Sequence, residues 1–131
     1  MIEVAAAVIE NIDGAILIAR RKPGKAQEGL WEFPGGKIEP GESHEACLIR
    51  ELMEEMNIAI RPYTYLGVND HRYDSVHIRL FAYKAVYMHG NLMLKDHDAS
   101  VWVQARDLLQ YNLAPADIPF VEKLLQAEGT C

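Results

Sequence analysis

The 131-residue sequence predicts an α/β fold, a mixed β-sheet sandwiched between helices in an α/β/α arrangement. Three observations predict it. Strand-like runs of apolar residues occupy both halves of the chain. Two helix-like segments, near residues 43–56 and 117–128, sit among them. The order of the two types is irregular, which fits a sandwich better than a regular βαβ array. No internal repeat, low-complexity tract or linker divides the chain, so residues 1–131 are expected to form one domain.

The elements follow in order. IEVAAAVIE (2–10) and GAILIARR (14–21) read as strands joined by a turn at Asp13-Gly14, a strong hairpin signal. KPGKAQEG is a loop, and WEF (31–33) is a short strand entering the glycine-rich PGGKIEPGE. A helix is predicted from Ser43, a good N-cap with Glu45 in the first turn, to Met56. Two longer strands are expected over 58–68 and 76–88, the second alternating well through Val76, Ile78, Leu80 and Ala82. The turn His89–Asn91 leads to a short strand and then SVWV (100–103). ARDLLQY is a short helix, and Asp117–Glu128 a terminal one. The total is about six strands and two or three helices.

Composition narrows the function. Hydrophobic residues make up 50% and charged residues 24% of the chain, ordinary for a globular protein. A net charge of −6 argues against a partner of the nucleic-acid polymer class, which calls for a basic face. It leaves room for a small anionic ligand held by a few local cations and a metal. The longest apolar runs, Val4–Ile9 and Ala15–Ala19, are too short to span a bilayer. Met1 leads into a strand with no signal-peptide pattern, so a cytoplasmic protein without a membrane partner is expected. With only Cys47 and Cys131, no disulfide framework is expected.

The segment RELMEEMNI crowds Glu51, Glu54 and Glu55 onto one helix. Like charges three or four residues apart on a helix cost about 0.2–0.5 kcal/mol per pair. The cluster lacks a lysine or arginine four residues on, and Arg50 is the helix's only cation. At about 100° per residue, Ala46, Ile49, Leu52, Met53 and Met56 fall on the opposite arc. The helix is therefore expected to bury that apolar stripe and turn its carboxylates away from the core. The loop before it contains Gly35-Gly36 and Gly41, where backbone carbonyls can approach a ligand. Oxygen donors at this density suit Mg²⁺ or Mn²⁺.

GKIEPGESHEACLIRELMEEMNI (36–58) resembles the Nudix box, G-x5-E-x7-R-E-U-x-E-E-x-G-U, where U is a bulky aliphatic residue. Gly36, Glu42, Arg50, Glu51, Leu52, Glu54, Glu55 and Ile58 fall in register. The one departure is Asn57 in place of glycine. That position ends the helix in the left-handed region, which Asn tolerates next best after Gly. WEFPGGKIE, VWV, RDLLQY and YNLAPADIPFVEKLL resemble segments of MutT-type nucleoside triphosphate pyrophosphohydrolases, the last of them the bacterial CTP pyrophosphohydrolase branch.

The resemblance implies a Nudix fold and an Mg²⁺-dependent enzyme, with Mn²⁺ as a substitute ion, that converts a nucleoside triphosphate to monophosphate and pyrophosphate. Glu51, Glu54, Glu55 and the Gly35 carbonyl would hold metal. One glutamate, in the first place Glu51, would act as general base, with Arg50 orienting a carboxylate. A later loop carboxylate usually joins the set; here that position is Asp96, shorter than the usual glutamate, with Asp98 as a substitute. Arg21 and Lys37 lie where relatives contact phosphate. Tyr73 is a candidate stacking ring. His71, His77 and His97 show no zinc-ligand spacing and are expected to be surface or structural.

Asp117 stands where relatives use an asparagine to read the base, and it also suits the N-cap of the last helix. Ionised, it only accepts hydrogen bonds, which favours the exocyclic amine of cytosine over 8-oxoguanine; that preference weakens if burial keeps it protonated. The expected substrate is a cytosine nucleotide (CTP, dCTP or a 5-substituted form), with 8-oxo-dGTP as the alternative. The competing class is a non-catalytic nucleotide sensor of the same fold, which loss of box glutamates would favour; none is lost. The expected partner is a small nucleotide, and the expected assembly a monomer or homodimer.

Overall fold

Strand β1 (Ile2–Glu10) organises the molecule, because its residues Ala5–Ile9 are all buried. A strand buried on both faces needs a layer on each side of its sheet. Here Ala5, Ala7 and Ile9 join one core with Leu17, Ala19, Leu48, Leu52 and Met56. Ala6 and Val8 join the other with Ile16, Ile18, Leu108, Phe120 and Val121. The computed structural model describes residues 1–129, so the Cys131 reading lies outside the described residues. Among those residues no helix is long and apolar enough to cross a membrane.

The remaining elements are β2 (Ile16–Arg21), β3 (Trp31–Glu32), β4 (Gly35–Lys37), α1 (His44–Met56), β5 (Ala59–Tyr73), β6 (Val76–His89), β7 (His97–Val103) and α2 (Ile118–Gly129), with 3-10 turns at Ala105–Gln110 and Pro115–Asp117. The sheet runs β3-β2-β1-β6-β5, with β4 pairing β1 and β7 pairing β2. The β1–β6 pair is parallel and the others are antiparallel, so the sheet is mixed as expected. Helix α1 packs on one face; α2 and the 3-10 turns pack on the other.

Several elements differ from the sequence reading. The glycine segment contributes a seventh strand, β4, whose Gly35 and Gly36 lie opposite Ala6 and Ala5. Strand β5 continues past Val68 to Tyr73 because its polar end pairs with β6 through the Asp70–Arg79 ion pair, at 2.8 and 3.0 Å. The hairpin closes on Asp74 and Ser75, both at positive φ. No strand forms between His89 and β7. That stretch is tied instead to the end of α1, by Met93 N–H to Met56 O and Lys95 N–H to Glu55 O. The short helix expected at ARDLLQY forms over residues 105–110, as a 3-10 helix.

Both ends of α1 match their local chemistry. Ser43 Oγ accepts from Ala46 N–H at 3.1 Å. Asn57 sits at φ 60°, ψ 35°, and its N–H reaches the Leu52 and Met53 carbonyls. Its Nδ2 also donates to Asn91 O. Asn57→Ala is expected to cost about 1–2 kcal/mol, since alanine lacks both the tolerance for this region and the tie. A denaturant midpoint lowered at unchanged m-value checks it.

The helix face is the main correction. The buried residues of α1 are Cys47, Leu48, Leu52 and Met56. Ile49 and Met53, expected inside, are about half exposed, at 48% and 47%, and Ala46 is exposed as well. The helix is turned so that Glu51 and Glu55 lie between the buried positions, and both are partly buried. Only Glu54 points to solvent. Glu51 is held against Gly36 of β4, and that placement makes the site.

Candidate active site

Arg50 is the hub of the acidic face. It grips Glu42 with two bonds, Nε to Oε2 at 2.8 Å and Nη2 to Oε1 at 2.9 Å. Nη1 donates to Glu51 Oε1 at 2.8 Å and reaches Glu54 Oε2 at 3.4 Å. Arg50, the helix's only cation, thus pairs forward with Glu54 four residues on. Bonding to Arg50 holds the Glu42 carboxyl down to about 2. Nη2 also bonds the Lys37 carbonyl, tying the hub to β4. Glu51 is subject to opposed influences: burial raises its pKa, Arg50 lowers it, and the net shift is upward.

Glu51 packs directly on Gly36. A Cβ at that glycine would lie 2.2 Å from the Glu51 carboxyl carbon. At Gly35 a Cβ would meet the Ala5 carbonyl oxygen at 1.9 Å. Both glycines are therefore required by close approach, one to a side chain and one to the central strand.

One helical turn on, Glu55 meets Asp96. Burial, then hydrogen bonding to Asp96, pushes the Glu55 carboxyl up to about 7, while Asp96 is lowered. Asp96 also pairs with Lys25 at 3.2 Å. Glu55 Oε2 is buried without a hydrogen-bond partner. Asp98, the expected substitute, instead pairs with Arg20 at 2.8 Å and does not join the group. Among the described residues no three acidic, His or Cys side chains converge into a ready cage. Still, two carboxyls sharing a proton and an unpartnered buried oxygen fit a divalent cation. Mg²⁺ in particular takes few protein carboxylates and completes its shell with water and substrate phosphate.

Beyond Gly36 opens a cleft of about 210 Å³. The sequence-predicted Arg21, Gly35, Lys37, Tyr73 and Asp117 all line it. Glu51, Glu54, Glu55 and Asp96 do not; Glu51 borders it at Gly36, and Arg50 ties Glu54 to the same edge through the Lys37 carbonyl. Tyr73 reaches the wall because the β5–β6 hairpin extends beyond its predicted end. Arg21 is partly committed, through Nε to Ala26 O at 3.1 Å and Nη1 to Glu32 Oε2 at 3.5 Å.

Asp117 does not serve as a helix cap. Its Oδ2 accepts from Phe33 N–H at 3.3 Å, across 84 positions of sequence. Two backbone bonds, Trp31 N–H to Asn112 O and Ala114 N–H to Trp31 O, hold these segments together. The side chain is buried, and burial followed by the charge of Glu32 raises its pKa well above the ordinary value. Of the two states the sequence reading left open for Asp117, this burial favours the protonated one, a donor as well as an acceptor.

One residue of this cleft escaped the sequence reading, Glu32, and its neighbour His97 was read only as surface or structural. Glu32 alternates with Trp31 and Phe33 and lines the cavity. His97 is buried and bonds Glu32 at 2.9 Å. The alternation of WEF, with one acid between two aromatic rings, was the available signal for Glu32. His71 and His77 lie on the β5–β6 hairpin, His77 near Asp70 at 3.8 Å.

Comparison with known proteins follows the same outline. The NUDIX domain model matches residues 2–124. The CTP pyrophosphohydrolase of Escherichia coli (strain K12) is 45% identical over 95% of this chain and 92% of its own length. The putative 8-oxo-dGTP diphosphatase 2 of Mycobacterium tuberculosis (strain H37Rv) is 33% identical over 94% of this chain and 86% of its own. The solution structure of the E. coli ORF135 protein superposes with a TM-score of 0.87 at 43% identity, covering 99% of this chain and 92% of that one.

Proposed function

The chain belongs to the Nudix family of hydrolases, and from that premise we propose that it hydrolyses cytosine nucleoside triphosphates to the monophosphate and pyrophosphate. One observation carries the reading. A cleft ending in two carboxyls, Glu32 and Asp117, runs at Gly36–Lys37 into a helix face bearing Glu51, Glu54 and Glu55. The base occupies the first part and the triphosphate the second.

Nudix hydrolases use a divalent metal. Glu51, Glu54, Glu55, Asp96 and the Gly35 carbonyl would hold Mg²⁺, or Mn²⁺ in its place. When bound, the metal supplies charge neutralisation along the phosphates. The protein's own groups do the rest. Arg50 fixes the Glu51 carboxylate by a charge-assisted bond. Glu51, its basicity raised by burial, accepts the proton of the attacking water. Lys37 and Arg21 offset phosphate charge at the cleft edge. Net, one water is consumed, one phosphoanhydride bond breaks, and pyrophosphate leaves.

Base choice follows from the two carboxyls. Cytosine presents an amine donor beside a ring-nitrogen acceptor. The Glu32 side chain accepts from the amine, and Asp117, whose burial favours the protonated form, donates to the ring nitrogen. Uracil would turn a carbonyl toward Glu32 and be repelled. Tyr73 stacks on the ring. The second reading is 8-oxo-dGTP, motivated by the 33% identical relative.

Pyrophosphate release with Mg²⁺ across CTP, dCTP, 5-methyl-dCTP, 8-oxo-dGTP and the ordinary nucleotides tests this. The highest kcat/KM is expected on a cytosine nucleotide. Preference for 8-oxo-dGTP would reverse the base assignment, and no turnover at all would revive the sensor class.

A further inference from the structure

Behind Glu32, which lines the cleft, sits a buried histidine that the reaction as described leaves unused. His97 opens β7 and pairs with Arg21 where the β2–β7 register shifts between Arg20 and Arg21. Its side chain is 4% exposed. Nε2 lies 2.9 Å from Glu32 Oε2, and Nδ1 is buried without a hydrogen-bond partner. A hydrogen on Nδ1 would be a buried unpaired donor, at a cost of about 1–3 kcal/mol. The hydrogen therefore sits on Nε2 and is donated to Glu32.

Among the described residues, both contacts to the Glu32 carboxylate fall on Oε2: His97 at 2.9 Å and Arg21 at 3.5 Å. Oε1 is left as the acceptor for a ligand in the cavity. The Arg21 contact is long, and its guanidinium is shared with the Ala26 carbonyl. Without His97, nothing short would hold a side chain that has three rotatable bonds. The charged and titratable groups that act on Glu32 are Arg21, His97 and Asp117, and Asp98 acts on His97.

We propose that His97 is a positioning residue for base selection, clamping Glu32 in the cleft wall so that Oε1 meets the exocyclic amine of the base beside Asp117. The assignment rests on the nucleotide-hydrolase reading above. It predicts an effect on nucleotide binding and on discrimination between bases, with the chemical step spared.

The test is steady-state pyrophosphate release from CTP and UTP by the wild type, His97→Gln and His97→Asn, each variant also combined with Glu32→Gln. Glutamine places its amide nitrogen near the Nε2 position and reaches Glu32. Asparagine places it near Nδ1 and falls short, while remaining polar and small enough to fold. His97→Asn is expected to raise KM for CTP about tenfold, the scale of one hydrogen bond to a charged group. The CTP-to-UTP ratio in kcat/KM should shrink with it, and kcat should stay within about threefold. His97→Gln should hold KM within about threefold of wild type. In the Glu32→Gln background the two His97 variants should behave alike.

Equal losses in the Asn and Gln variants, a fall in kcat at constant KM, or a persisting difference without Glu32 would overturn the positioning role. Wild-type discrimination combined with insensitive His97 variants would overturn that role alone. Equal wild-type use of CTP and UTP would overturn the base assignment and this inference with it, and so would no turnover of either nucleotide.

Discussion

Glu55→Gln is expected to lower kcat at least about 100-fold, the scale seen when one group stabilising transition-state charge is removed. It should do so without loosening the fold. Glu55 is partly buried beside Asp96, with one oxygen unpartnered, and its carboxyl is pushed up to about 7 from the ordinary 4.5. In metal-free protein the unfolded chain therefore ionises Glu55 above about pH 4.5, while the folded chain keeps the proton until about pH 7. Unfolding releases a proton in that window, so wild-type stability declines as pH rises through it and stays reduced above. Glutamine keeps the shape and cannot ionise. Thermal melts of metal-free protein from pH 5 to 8 should show the decline in the wild type and a shallower one in the variant. Near-normal turnover together with an unchanged pH slope would remove Glu55 from the site.

Gly36→Ala and Gly35→Ala, adjacent and chemically identical changes, are expected to fail in different ways. At Gly36 the new methyl would fall 2.2 Å from Glu51 Cδ and 2.4 and 2.6 Å from its oxygens. Those atoms end a flexible side chain, so Glu51 shifts and its 2.8 Å bond to Arg50 is disturbed. The expected result is a loss of about 100-fold in kcat with a stability cost of about 1 kcal/mol. At Gly35 the methyl would fall 1.9 Å from Ala5 O and 2.9 Å from Ala6 Cα. Those are backbone atoms of the central strand, which cannot yield without breaking β1–β4 pairing. Gly35→Ala is expected to cost about 3 kcal/mol or more. Denaturant melts beside kcat separate the two. Equal stability loss at both positions would contradict the packing of Glu51 on Gly36.

What was legible in the sequence was local. The Ser43 cap, the left-handed Asn57 and the strand-by-strand outline depend on neighbours within a few residues, and each has a side-chain or backbone signature. The orientation of α1 was not legible from hydrophobicity, because apolar residues occur on both arcs. Ile49 and Met53 look like core yet face out, while Glu51 and Glu55 look like surface yet face the sheet. The buried set Cys47, Leu48, Leu52 and Met56 brackets the two glutamates, and only a reason to bury carboxylates would favour that register over the other. Long-range facts were beyond reach altogether. The raised pKa of Asp117 comes from its burial and from the charge of Glu32, far away in sequence, and the burial of His97 goes with its pairing with Arg21. The strand expected after His89 was lost because that segment's backbone bonds go to the end of α1.

Three glutamates at like-charge spacing on one helix are tolerated, on this account, because a divalent ion takes up their charge. Mn²⁺ binding to nucleotide-free protein, followed by the electron paramagnetic resonance signal of the free ion, tests that most directly. Wild type should take up Mn²⁺ at the acidic face, and Glu55→Gln should weaken the binding at least about tenfold. Mn²⁺ affinity unchanged in Glu55→Gln, Glu51→Gln and Glu54→Gln alike would contradict the account and leave Arg50 as the counter-charge of the acidic face.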